Sequence, residues 1–108
     1  MATTGILASE ALPATTYTPI YVPSTDTFGV VTISICNKNN TSIRVRIALA
    51  TDPNIPAAGE YIEYETEILP YGVLERNGVI VQSGRTIYAY SSQAQTDVVV
   101  YGIETPTS

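Results

Sequence analysis

The densest group of ionisable side chains in the sequence is a run of four glutamates: Glu60, Glu63, Glu65 and Glu67. Paired carboxylates can act as acid and base in glycoside hydrolysis, and a carboxylate cluster can bind calcium. The run lacks the DxDxDG-like spacing of a calcium loop. On a strand, alternate glutamates form one row, which more often faces solvent or basic residues on a neighbouring strand. We therefore expect Glu63 and Glu65 to pair with Arg44 and Arg46 across strands.

The chain has no histidine and a single cysteine, Cys36. Histidine is the commonest general base and zinc ligand, so the usual catalytic triads and structural zinc sites cannot be assembled. One cysteine cannot form an intramolecular disulfide. The glycines are scattered singly, without a phosphate-binding loop. These features predict a protein that is not an enzyme and that uses no cofactor or metal.

Tyrosine is the most prominent aromatic residue, with eight copies beside one phenylalanine and no tryptophan. Tyr88 and Tyr90 share a face of one predicted strand, and we expect Tyr101 to lie opposite them on the last strand. If this face is exposed, it could pack against a neighbouring subunit or stack on sugar rings. If it is buried, it is part of the core, and Ile87 and Ala89 offer a competing inward face. Both alternatives stay open from the sequence.

Charge and hydropathy restrict the possible partners. The net charge of −5 would repel phosphate backbones, and the five basic residues form no cluster, so we expect no nucleic-acid binding. No apolar run approaches the roughly 20 residues that span a bilayer, and the first residues do not resemble a signal peptide. We therefore expect a protein that is made and soluble in a reducing cytoplasm and binds no membrane.

Alternating polarity identifies the elements. Residues 28–37 and 42–51 alternate with period two, and shorter alternating segments follow up to residue 104. Gly, Pro, Asn and Asp separate these segments, and no window has a helical period. The pattern predicts an all-β fold, an antiparallel β-sandwich (Ig-like or jelly-roll-like) of seven or eight short strands. Within it we expect hairpins between residues 28–37 and 42–51, around Asn77-Gly78, and between residues 85–91 and 96–104.

The predicted domain organisation has three parts. Residues 1–14 show no sustained period and are predicted to form an extended N-terminal arm, residues 15–104 form the sandwich, and residues 105–108 form a flexible tail. Ile6, Leu7 and Leu12 give the arm apolar side chains for contact with a neighbouring subunit.

Four segments carry a resemblance to a known class of proteins. TTYTPIYVP (15–23), VVTISICNKN (30–39), SIRVRIALA (42–50) and the stretch from EYIEY to YSS (60–92) resemble small virion structural proteins of tailed bacteriophages, especially those of cyanobacterial hosts. The resemblance covers about residues 11–104. Its motifs are structural rather than catalytic.

The resemblance implies a capsid decoration (cement) protein that sits on the virion surface after synthesis in the host cytoplasm. Its implied partners are the major capsid protein and further copies of itself, often as a homotrimer. In this interpretation the arm lies along a neighbour while the sandwich covers a junction between capsomers. The alternatives are a tail, baseplate or fibre component, or a receptor- or glycan-binding module that uses the exposed tyrosines.

Overall fold

A computed structural model describes residues 4–51 and 56–106 of the chain. Within these ranges the backbone forms eight β-strands and no helix, and so no helix of the kind that could cross a membrane. In chain order the strands are β1 (Thr4–Leu12), β2 (Thr18–Tyr21), β3 (Thr27–Asn37), β4 (Ile43–Thr51), β5 (Tyr61–Ile68), β6 (Val73–Val81), β7 (Arg85–Ser91) and β8 (Thr96–Pro106).

The strands form two antiparallel sheets of four strands each. Sheet A has the order β1-β8-β3-β6, and sheet B has the order β2-β7-β4-β5. One apolar core draws residues from both sheets, so the sheets pack face to face. The structure therefore confirms the predicted all-β antiparallel sandwich, with eight strands in the described ranges.

Side-chain alternation decides which face of each strand turns to the core. In β3, Val31, Ile33 and Ile35 are buried, and the residues between them are more exposed. In β4, Ile43 and Val45 are buried in the same way. Complete burial of each such side chain contributes roughly 1.5–3 kcal/mol, so period-two alternation suffices to orient both strands. The period-two alternation expected for residues 28–37 and 42–51 therefore gives β3 and β4 one buried face each.

The predicted pairing of neighbouring strands is wrong. β3 pairs with β6 and β8 in sheet A, whereas β4 pairs with β5 and β7 in sheet B. Likewise β7 belongs to sheet B and β8 to sheet A. These two predicted hairpins are instead connections that cross from one sheet to the other. Alternation specifies that a segment is a strand with one apolar face, but it does not specify the hydrogen-bonded partner.

β6 replaces another predicted hairpin. Asn77-Gly78 was expected to make a tight turn between two short strands, but both residues lie within the single strand β6. The register against β3 shifts between Val31 and Ile33, and Gly78 has a φ of 68°. A residue with left-handed backbone geometry inside a paired strand produces a β-bulge, and this accommodates the Asn-Gly pair without ending the strand.

β1 occupies the segment that was predicted to be an arm. Residues 4–12 pair with β8 from Thr4 opposite Ile103 to Leu12 opposite Thr96, so the sandwich includes them. The predicted tail also begins inside a strand, because β8 continues to Pro106. Residues 1–3 and 107–108 lie outside the described residues. The apolar side chains of β1 explain its docking, since Leu12 is only 2% exposed and belongs to the core.

Asn37 connects three turns at one end of the sandwich. Its fully buried side chain donates through Nδ2 to the carbonyl oxygens of Thr41 (2.9 Å), Ile68 (3.2 Å) and Leu69 (3.0 Å). Its Oδ1 accepts hydrogen bonds from the backbone and side-chain amides of Asn39. Asn39 in turn donates to the carbonyl oxygen of Ala94 (2.8 Å). Together these contacts join the β3–β4, β5–β6 and β7–β8 turns. These bonds satisfy buried polar groups that the turns would otherwise leave unpaired.

A polar contact crosses the core near the opposite end of the strands. The hydroxyl of Tyr21 on β2 donates to Oε2 of the buried Glu104 on β8 at 2.5 Å, and so joins sheet B to sheet A. Burial raises the pKa of the Tyr21 hydroxyl, and the hydrogen bond to Glu104 raises it further. Gly29 makes room for the ring, because a Cβ there would lie 2.9 Å from the Tyr21 oxygen.

Gly102 allows β8 to lie close to β3. A Cβ at this position would overlap the carbonyl oxygen of Val30 and would lie 2.8 Å from the Cα of Val31, both of which are backbone atoms. Backbone atoms cannot rotate away as the end of a flexible side chain can. The central strand pair of sheet A therefore requires glycine at position 102.

Candidate interaction surfaces

The outer face of sheet A carries a continuous apolar surface, which we call the outer apolar patch. It consists of Ile6, Val30, Ile80, Tyr101 and Ile103. Ile80, Val30 and Ile103 are cross-strand partners and form one row over β6, β3 and β8, and Ile6 lies opposite Tyr101 on β1 and β8. These side chains are between 36% and 70% exposed. Adjacent exposed apolar side chains of this kind are typical of surfaces that bind another macromolecule.

Tyr101 is held in place within this patch. Its hydroxyl donates to Oε2 of Glu75 on β6 at 2.9 Å, and this contact spans the intervening strand β3. The hydrogen bond raises the pKa of the Tyr101 hydroxyl above its usual value. A fixed ring with its polar end satisfied loses little side-chain entropy when another surface covers it.

The outer face of sheet B carries a different group, which we call the tyrosine–arginine cluster. It consists of Tyr17, Arg46, Tyr61, Tyr64 and Tyr90. The Arg46 guanidinium carbon lies 4.6 Å from the Tyr64 ring centroid and 4.5 Å from that of Tyr90. Tyr17 and Tyr90 have centroids 5.0 Å apart, and Tyr61 meets Tyr64 edge to face at the same distance. The rings and the guanidinium therefore form one preordered group through cation–π and aromatic contacts.

Hydrogen bonds fix the centre of the tyrosine–arginine cluster. Arg46 donates through Nε to Oε2 of Glu65 (2.5 Å) and through one terminal nitrogen to the Tyr17 hydroxyl (2.8 Å). These two bonds raise the pKa of Arg46 further above its usual range. The hydroxyls of Tyr17 and Tyr61 lie 2.6 Å apart, and burial together with this bond raises the pKa of Tyr61 to about 12. The centre of the cluster is therefore an ion pair between Arg46 and Glu65, with tyrosine rings packed around the guanidinium.

Bulges in β5 bring Tyr61 and Tyr64 to the same face. Strict alternation would place Tyr64 on the face opposite Tyr61, because their positions differ by an odd number. Between the partners of Ile47 and Ala48, β5 contains one extra residue, Ile62, and this places Tyr61 on the face of Tyr64. Between the partners of Val45 and Ile47 it contains a second extra residue, and Glu65 has a φ of 53°. The extra residue shifts the alternation and turns the Glu65 carboxylate towards Arg46. The single row predicted for Glu63, Glu65 and Glu67 is interrupted at the same place.

The charge partners of β5 differ from residue to residue. Arg46 pairs with Glu65, but Glu63 accepts a hydrogen bond from Arg76 of β6 at 2.6 Å. Arg44 donates to the backbone oxygen of Glu65 rather than to a carboxylate. β5 and β6 are the edge strands of opposite sheets, so the pair formed by Glu63 and Arg76 bridges the two sheets along one side of the sandwich.

A cleft of about 390 Å³ opens near the same side of the molecule. Leu49, Ile62 and Ile80 form part of its apolar lining, and Arg85 lies 3.0 Å from Glu60 at its polar end. The backbone amide of Ala57 donates to Glu60 and is the main reason that the pKa of this carboxyl falls below its usual value. Within residues 4–51 and 56–106, no three acidic or cysteine side chains come together to form a metal site.

The structure separates the three tyrosines that the sequence grouped. Tyr90 belongs to the tyrosine–arginine cluster. Tyr88 is only 7% exposed, although it lies outside the core cluster, and its neighbour on β4 is Ala48. Tyr101 lies on the outer face of the other sheet.

The three apolar residues of β1 have separate environments. Ile6 is 70% exposed in the outer apolar patch, Leu7 packs partly against the core, and Leu12 is buried in it. Only Ile6 is therefore available for contact with a neighbour in this arrangement.

The sequence interpretation missed Val30, Ile80 and Ile103 as surface residues. Each is an apolar residue at a position whose side chain points outward from its strand. In β3 the sequence shows this, because Val30 has the same parity as the outward-facing Thr32 and Ser34. The cross-strand register that makes the three into a row depends on pairing between strands distant in sequence. No local pattern reveals that register.

Comparisons with known proteins add no relative. No protein-family model matches the chain, and neither a curated protein nor a solved structure matches it.

Proposed function

We propose that this chain is a non-enzymatic structural protein of a bacteriophage particle, of the capsid decoration type. The outer apolar patch would dock on the major capsid protein, and copies of the chain would cover junctions between capsomers. The observation that carries the proposal is the continuous row of exposed apolar side chains on the outer face of sheet A. The resemblance of residues 11–104 to small phage virion proteins supplies the particle as the setting.

The physical basis of the proposed binding is burial of this patch. Its five side chains come from four different strands of one sheet, so they are presented in a fixed arrangement. Covering a largely exposed isoleucine contributes on the order of 1 kcal/mol, which is less than the value for complete burial from water. A decoration protein on a symmetric shell repeats this contribution at every copy, so a modest interface at each site stabilises the whole particle.

Point variants with a matched control test the docking face. Ile80→Glu places a charge in the outer apolar patch, and Leu69→Glu places the same charge on a residue of equal size and similar exposure in the β5–β6 turn. Each purified variant is mixed with phage heads that lack the protein, and the amount that sediments with the heads is measured. We expect I80E to bind at least tenfold more weakly than L69E and the unmodified chain. Equal binding of I80E and L69E would contradict docking through sheet A.

The copy number separates the head from the tail. A decoration protein occurs in many copies per particle, whereas a tail, baseplate or fibre component occurs in few. Quantitative gel staining of purified particles against the major capsid protein gives this ratio. A ratio of only a few copies would favour the tail alternative while leaving the docking face unchanged.

The tyrosine–arginine cluster favours a second candidate function, namely recognition of a glycan receptor. Tyr64 is 58% exposed, and its ring is held in place beside Arg46 and Tyr61, so it could stack on a sugar ring. A glycan array probed with the unmodified chain and with Tyr64→Ala tests this function. Tyr71→Ala is the matched control, because Tyr71 is also well exposed but lies in the β5–β6 turn. Glycan binding that Y64A abolishes and Y71A preserves would support the receptor function.

A further inference from the structure

β1 is attached to the sandwich less completely than the strands at the centre of the sheets. Among the described strands it forms one edge of sheet A and pairs only with β8, and its register shifts at Leu7 between the partners of Ile6 and Ala8. Its neighbour in sequence, β2, belongs to the other sheet. Removal of β1 would therefore leave all of sheet B and three strands of sheet A paired.

The connection between β1 and β2 is exposed and strained. Residues 13–16 are all exposed, so a change in their conformation would uncover no core residue. Thr15 has a φ of 52°, a left-handed conformation that a β-branched residue rarely adopts. The backbone amide of Thr15 donates to the carbonyl oxygen of Ser91 at 2.8 Å and holds the connection closed. Extension of this connection would release the strain at Thr15 and would break that hydrogen bond.

The site that β1 would vacate is specific for a strand with the β1 sequence. Its departure would expose the edge of β8 over the whole paired length and would open a cavity in the core at the position of Leu12. A strand that fills this place must supply a leucine at the register position opposite Thr96 and a bulge near Tyr101. The β1 segment of a second copy meets both requirements.

We propose that the protein self-associates by exchange of β1, in which β1 of one copy pairs with β8 of another. The connection at residues 13–16 is the hinge, and the exchanged strand makes the same contacts in trans that it makes in the closed form. Exchange of an identical element creates an oligomer without a new complementary surface, and a short strained hinge favours it. This proposal does not depend on the phage assignment, and it would leave the outer apolar patch assembled from β1 of one copy and β8, β3 and β6 of another.

A disulfide between β1 and β8 tests the exchange in the full chain. Ser9 and Val99 are cross-strand partners near the outer surface of sheet A, and facing positions of antiparallel strands are close enough for a disulfide. The variant Ser9→Cys, Val99→Cys with Cys36→Ser is purified and oxidised, and the products are separated on a denaturing gel without reductant. Exchange predicts covalently linked dimers or larger closed rings. A product consisting only of internally linked monomers would overturn the proposal.

Two controls distinguish exchange from chance collisions. The single variants Ser9→Cys and Val99→Cys, each with Cys36→Ser, contain no cross-strand pair. Linked oligomers at the same yield in these variants would count against exchange. Reduced samples must run as monomers, which shows that disulfides hold the oligomers together.

Substitutions at the hinge provide an independent test with opposite expected directions. Thr15→Pro excludes a φ of 52° and removes the amide that bonds to Ser91, whereas Thr15→Gly tolerates the left-handed conformation. In the disulfide background, we expect T15P to raise the ratio of linked oligomer to linked monomer about tenfold, and T15G to lower it about tenfold, because strain of this kind changes an equilibrium by roughly that factor. Equal ratios in T15P and T15G would contradict the role of the hinge.

Discussion

Replacement of Asn37 by Asp should destabilise the protein far more than the same change at its neighbour Asn40. The substitution keeps the size of the side chain and keeps Oδ1 as an acceptor for Asn39. It replaces the amide nitrogen by an oxygen that faces the carbonyl oxygens of Thr41, Ile68 and Leu69. Three favourable contacts therefore become repulsive ones in a site where the side chain is 0% exposed.

The expected magnitude follows from these contacts. An amide nitrogen has two hydrogens, so its three contacts amount to about two hydrogen bonds of roughly 1 kcal/mol each. Carbonyl groups left unpaired in a buried site add about 1–3 kcal/mol. We expect N37D to lower the free energy of unfolding by about 3–5 kcal/mol, which is a large part of the roughly 5–15 kcal/mol that stabilises a typical domain.

Equilibrium unfolding in urea measures this effect, with the midpoint and the slope fitted separately for each variant. Asn40 is exposed in the same turn, so N40D should change the free energy of unfolding by no more than about 0.5 kcal/mol. The reasoning would be refuted if N37D and N40D differed by less than about 1 kcal/mol, since the buried amide would then not hold the turns together.

Three further predictions concern stability and are tested by the same unfolding assay. Gly102→Ala should lower the free energy of unfolding by about 3 kcal/mol or prevent folding, because the alanine Cβ would overlap the backbone of Val30. An effect below about 1 kcal/mol would show that β8 and β3 can move apart at little cost in free energy. The pKa of Tyr21 is higher in the folded than in the unfolded chain, so ionisation of this phenol favours unfolding. The free energy of unfolding should therefore be unaffected by Tyr21 below about pH 10 and should fall by about 1.4 kcal/mol per pH unit above it. Tyr21→Phe should make the alkaline decline less steep, and an unchanged slope would contradict the raised pKa of Tyr21. Arg46→Lys should cost about 1 kcal/mol, because lysine keeps the charge but not the planar group that donates to both Tyr17 and Glu65; a stability equal to that of the unmodified chain would show that charge alone suffices.

The sequence was sufficient to predict β3 and β4 as strands with one buried face each. Val31, Ile33 and Ile35 alternate with more polar residues, and this pattern depends only on local geometry. It was not sufficient to predict which strands pair, because a turn such as residues 38–42 can join two strands of one sheet or lead from one sheet to the other. The choice depends on the combined burial of both sheets, which involves residues far apart in the chain.

The bulges explain most of what the sequence could not predict about the tyrosine–arginine cluster. Strict alternation separates Tyr61 from Tyr64, but the bulge at Ile62 in β5 brings them to one face beside Arg46. The role of Asn37 was missed for a related reason. A buried asparagine in a turn is recognisable only when the carbonyl groups of the other turns are known, although the Cys36-Asn37 pair was part of the motif that resembles phage virion proteins.

The most direct test of the proposed function is an image reconstruction of the phage particle at a resolution that shows individual strands. The proposal predicts sandwich density repeated over the capsid surface, with the β6, β3 and β8 row of Ile80, Val30 and Ile103 against the major capsid protein. Density with this row facing solvent, or no density for the chain on the capsid, would contradict it.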